Sequence, residues 1–118
     1  MFEKCVILCL VMIMETPNDS AKLIVQRLQS HFKRLPHTRY WMVVVNNRYD
    51  RQYNFFIEMS HRQRCTRSIP LHSITDYSLI NLEHVIQQVH LQNKLPIHFR
   101  GFGDQQRWPE SGRLIRAL

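Results

Sequence analysis

Met1 to Met14 reads MFEKCVILCLVMIM, and the ten consecutive apolar residues from Cys5 to Met14 decide between two folds. A strand covered on both faces is a continuous apolar run, and this one is made of Val, Ile, Leu, Met and Cys and ends at a polar turn, Glu15 to Asp19. The same run has the length of a secretory signal core. Against the signal, the leading MFEK carries Glu3 beside Lys4, and ETPNDSA puts Met14, Asn18 or Asp19 where cleavage wants a small residue. The buried strand is therefore the preferred reading. As a helix the run is too short to span a bilayer. Asn18-Asp19-Ser20 matches a glycosylation sequon, a pattern common by chance.

Outward from this run the periods are clearer. Asp19 or Ser20 is placed to cap a helix, and Ala21, Ile24, Val25, Leu28, Phe32 and Leu35 recur at helical spacing until Pro36. Tyr40 to Asn46, YWMVVVN, is apolar on both alternating faces and reads as a central strand, with Trp41, Val43 and Val45 on one side. A polar turn, Asn46 to Asp50, leads to a second strand, Tyr53 to Ser60, paired with the first as a hairpin. Ser68 to Ile74 is a short extra strand that Pro70 confines to an edge. Leu82, Val85, Ile86 and Val89 mark a second helix from about Ser78 to Gln92, and Ile97 and Phe99 alternate with His98 and Arg100 in a last strand.

With the N-terminal strand, the order β-α-β-β-(β)-α-β is the split βαβ, or ferredoxin-like, plan of an α+β fold with two helices on one sheet face. Residues 1–103 form one domain, and 104–118 read as a C-terminal tail with Trp108 docked on it. Two cores cannot be built from 118 residues.

Charge narrows the function. Sixteen Lys and Arg oppose nine Asp and Glu, a net +7, and twelve of the sixteen are Arg. Between Lys33 and Arg67 eight cations face only Asp50 and Glu58, so +6 of the total sits in about a third of the chain. Arg meets phosphate or carboxylate through a planar fork and stacks on flat rings, and a concentrated basic patch is the footprint of a polyanion site. The loop residues Arg48, Arg51, Arg62, Arg64 and Arg67 are the phosphate-contacting candidates, in two groups separated by the hairpin.

Arg51-Gln52-Tyr53-Asn54-Phe55-Phe56 partly resembles the third-strand signature of the RNA-recognition motif: a basic residue, then aromatics at the third and fifth positions. The resemblance covers six residues and implies that Tyr53 and Phe55 stack on splayed bases. Gln52 and Asn54 stand where that signature has small residues, and Glu58 where it ends on an aromatic. The competing reading is structural, because Tyr53, Phe55, Ile57 and Met59 form the more apolar face of their strand and such a face is usually buried.

Other chemistry finds little support. The seven histidines include no HxH or HxxxH, and the three cysteines, Cys5, Cys9 and Cys65, form no CxxC, so no metal and no cofactor is expected. Glu58, His72, His98 and Arg67 or Arg100 supply the parts of a small ribonuclease without a recognisable arrangement, so an enzyme is the lesser expectation. Gly101-Phe102-Gly103 opens like a dinucleotide loop, but Gln106 takes the third glycine's place. The expectation is a nucleic-acid-binding module, RNA ahead of DNA, inside the cell and without a membrane span. A protein-interaction module for an acidic partner is the alternative, and a secreted basic effector or ribonuclease follows if residues 1–14 are a signal.

Overall fold

The computed structural model describes residues 16–31, 35–62 and 65–116. The N-terminal run, Phe32 to Arg34 and Arg64 lie outside them. Helix α1 spans Pro17–His31. Its start comes three residues before the expected one, because Thr16 and Asp19 cap it reciprocally. The Asp19 amide donates to the Thr16 hydroxyl at 3.2 Å and the Thr16 amide to the Asp19 carboxylate at 3.4 Å. Pro17 then occupies the first helical position, where a missing N–H costs nothing. Ala21, Ile24, Val25 and Leu28 form the buried stripe, whereas Leu35, expected at its end, is half exposed.

Strands β1 (Thr38–Asn47) and β2 (Gln52–His61) pair antiparallel in unbroken register from Thr38 opposite His61 to Asn47 opposite Gln52. Strand β3 (Thr66–Ile74) adds to β2 antiparallel. The register shifts between Phe55, opposite His72, and Phe56, opposite Pro70, leaving Leu71 as an extra residue. That bulge turns Leu71 into the core, and its carbonyl accepts from the Arg27 guanidinium of α1 at 2.6 Å. Pro70 lies on an edge strand, the place where its missing N–H is harmless.

Helix α2 (Leu79–Gln92) starts at Ser78, whose hydroxyl accepts from the Asn81 amide, and buries Leu82, Val85, Ile86 and Val89. It leads to β4 (Ile97–Arg100), which pairs with β1 in parallel, Met42 opposite Ile97 and Val45 opposite Arg100. The result is an α+β domain with a four-stranded mixed sheet in the order β3-β2-β1-β4. The split βαβ arrangement is not what the described strands adopt: there the second strand lies at an edge and the last pairs with the first, whereas here β1 lies between β2 and β4. The short Ile97–Arg100 strand takes the parallel slot beside β1, and the extra strand takes the far edge.

Both helices bury their stripes in one cluster with Met42 and Val44 of β1, Tyr53, Phe55 and Ile57 of β2, Leu71 and Ile74 of β3, and Ile97 of β4. The segment from Asp104, read as a tail, folds back as a hairpin in which Arg107 bridges Leu114. Trp108 donates its amide to Arg113 at 2.8 Å, and Ile115 its amide to Gln106 at 2.9 Å. Trp108 and Ile115 both join the core. The buried Glu83 carboxylate of α2 fastens the turn by accepting from the Glu110 and Ser111 amides at 2.8 and 3.1 Å. No described helix is long and apolar enough to cross a membrane.

Candidate functional site

Strand alternation gives the sheet a second face. Opposite Met42 and Val44, β1 presents Arg39, Trp41, Val43 and Val45; register then adds Asn54, Phe56 and Glu58 from β2 and His98 and Arg100 from β4. Val43 is fully buried yet stands apart from the helix-side cluster, shielded instead within this second face. Among the described residues, neither helix lies over it.

Glu58 organises the face. The residue is only 6% exposed. It accepts from the Trp41 indole N–H at 3.0 Å and from both terminal nitrogens of Arg100 at 3.0 and 3.1 Å. A buried carboxylate needs such partners, and the two-pronged guanidinium contact is the strongest available. The indole bond fixes the Trp41 ring, which lies nearly parallel to the His98 imidazole, 6.0 Å between centroids and 24° between planes. His98 and most of Arg100 are exposed, and Trp41 and Phe56 are half-buried. The face thus carries a flat ring pair beside a neutralised ion pair.

Basic groups flank it at both ends. At one end His37, Thr38, Arg39, Ser60 and Arg62 line a depression of about 540 Å³. His37 and Arg62 both hold left-handed backbone, at φ 60° and 51°, and the Arg62 amide donates to the His37 carbonyl at 2.7 Å. Two non-glycine residues in that region are uncommon, and such strain gathers at functional sites. At the other end Val45, Asn47, Arg48, Asn54 and Gly101 line a second depression of about 510 Å³. Gly101 is required there: at φ +82° it passes so close to Asn46 that a Cβ would stand 2.8 Å from its carbonyl oxygen. Its own carbonyl accepts from Arg48 at 3.2 Å and from Asn46 at 3.3 Å. Arg39 to Asn47 along β1 is about 27 Å at the usual strand rise.

The residues singled out from the sequence divide. Arg48, Arg51 and Arg62 are exposed at the two ends of the hairpin; Arg51, at φ 52°, holds its guanidinium 5.8 Å over the Tyr77 ring. Arg67 is exposed on the edge strand β3, and Arg64 lies outside the described residues. Tyr53 and Phe55 are 4% and 0% exposed, beneath the helices. The Tyr53 ring packs on Tyr77 at 4.9 Å, and burial, with lesser contributions from Tyr77 and Asp76, pushes its phenol above the ordinary value. Rings sealed in this way cannot stack on a base, so the apolar-face reading of Tyr53 and Phe55 replaces the stacking one. Trp41, Arg39, His98 and Arg100 hold the corresponding places on the opposite face. Their alternation was visible in β1 and β4 separately; that they share a face depends on the parallel register of those two strands.

Among the described residues no three His, Cys, Asp or Glu side chains gather as metal ligands. Comparison with protein-family models, curated proteins and solved structures finds no match.

Proposed function

We propose that the protein binds single-stranded nucleic acid, RNA ahead of DNA, along the sheet face opposite its helices. The observation that carries this reading is the Trp41–His98 ring pair set between basic ends, Arg39 and Arg62 on one side, Arg48 on the other. Bases of a single strand stack on exposed flat side chains, and phosphates need only cations within reach. The +7 net charge favours the encounter. Arg67, in register with Met59, and Arg51, whose guanidinium lies over Tyr77, are on the helix side of the sheet and fall outside this face.

Fluorescence anisotropy with short labelled oligonucleotides tests it. Three phosphate contacts through Arg39, Arg48 and Arg62 predict a slope of log K against log salt of about −2, or roughly a twentyfold loss between 50 and 200 mM. Arg39→Ala and Arg62→Ala each reduce that slope by about 0.7. An absence of binding at low salt refutes the proposal.

A ribonuclease is the second reading, because Glu58, His98 and Arg100 lie on this same face. The Glu58 carboxylate already accepts three hydrogen bonds, from Trp41 and Arg100, and the residue is buried, so it is poorly placed to take a proton from a ribose hydroxyl. This favours binding over cleavage, and RNA recovered intact after prolonged incubation agrees with it.

A further inference from the structure

A second surface, on α2 and the C-terminal hairpin, shares no residue with the sheet face. It is an open groove of about 980 Å³. Ile86, Leu91, Trp108 and Leu114 make it mainly apolar, and Leu91 is 70% exposed. Arg107, Arg113 and Arg116 stand around it. Arg107 is tied to the Gly112 carbonyl at 2.8 Å, whereas no carboxylate of the described residues pairs with Arg113 or Arg116. The one acid in the lining, Glu83, spends both oxygens on backbone amides. His90 also lines the groove, and its Nδ1 is a buried polar atom without a hydrogen-bond partner.

We infer that this groove docks an acidic peptide segment of a partner protein, with an apolar anchor side chain held among Ile86, Leu91 and Leu114 and its carboxylates on Arg113 and Arg116. The chemistry selects this occupant. Trp108 is 7% exposed and offers no ring face, so a nucleic acid would find cations but no stacking platform. A second copy of a +7 chain would bring like charge to a basic surface. The groove is at the upper limit of small-molecule sites and wide open, which suits an extended or helical segment better than an enclosed ligand.

The test is selection of a random peptide library, about twelve residues long and displayed on phage, against the intact protein. The expected winners combine Asp or Glu with one or two large apolar residues. They shift the amide and side-chain resonances of Ile86, His90 and Leu114, and they bind R113E/R116E at least roughly tenfold more weakly, since like charges across an interface are strongly repelled. They bind Trp41→Ala as they bind the wild type, which separates this site from the sheet face. Both arginines are exposed, and an unchanged melting temperature shows that the variant folds. Failure to enrich, winners without acidic residues, or equal binding to R113E/R116E overturns the inference. Displacement of the winners by a short oligonucleotide, with the same resonances shifting, overturns it in favour of a general polyanion site.

Discussion

Replacing Trp41 by alanine should weaken single-stranded RNA binding far more than it weakens the fold. Base stacking on an aromatic side chain is worth about 1–3 kcal/mol, so one lost platform raises Kd roughly 5- to 150-fold. The substitution also unpairs one contact of Glu58 and uncovers part of Val43, but Arg100 still neutralises the carboxylate through two bonds. Trp41→Phe separates the two effects. It keeps a ring and removes only the indole N–H that donates to Glu58, so binding should stay within about fivefold of wild type. Intrinsic fluorescence gives a second readout, because the chain has two tryptophans and Trp108 is buried in the core. RNA should quench the emission of the wild type and leave that of Trp41→Phe almost unchanged. If Trp41→Ala melts as a folded protein and binds RNA with wild-type affinity, the ring pair is not a stacking platform and the reasoning fails.

Three further outcomes follow from the geometry. Glu58→Ala should cost about 1–3 kcal/mol by leaving the indole N–H unpaired, whereas exposed Arg100 rehydrates cheaply; a double-mutant cycle with Arg100→Ala in urea should show coupling, and additivity would mean the ion pair is ornamental. Gly101→Ala forces a Cβ to 2.8 Å from the Asn46 carbonyl at φ +82°, and should cost about 2 kcal/mol, a fall in melting temperature of roughly 6–12 °C. Tyr53, whose phenol burial holds above the ordinary value, should give a late ionisation step in an ultraviolet titration, and Tyr53→Phe should remove that step. The sign is fixed by linkage: above about pH 10 the unfolded phenol ionises while the folded one resists, so stability present below that pH is lost as pH rises.

What the sequence discloses here is what is local. The period-2 runs of β1 and β2 and the 3.6 period of α2 lie within single segments, and the boundaries Ser78 and Gln92 can be read directly. Choosing between Phe55 and Phe56 is harder. Both neighbours are aromatic, and a short likeness to an RNA-binding signature selects Phe55, while Ile57 on the same side ties that face to the helices. The parallel pairing of β1 with β4 joins residues more than fifty positions apart, and nothing in either segment specifies it. The C-terminal hairpin was hidden for another reason. Only Trp108 and Ile115 of its apolar residues reach the core, and Pro109, Ser111 and Gly112 between them read as a polar tail.

That hairpin also bears on how the protein is made. A domain whose core is closed by Trp108 and Ile115 keeps Phe99, against which Trp108 packs edge-on at 5.5 Å, incompletely covered until those residues have been synthesised. During translation the earlier strands and helices must wait with apolar surface exposed, the period in which nascent chains aggregate or meet chaperones. A stop codon or frameshift that removes the hairpin would therefore do more than shorten an end: it would take Trp108 and Ile115 from the core and leave Phe99 uncovered in the finished chain.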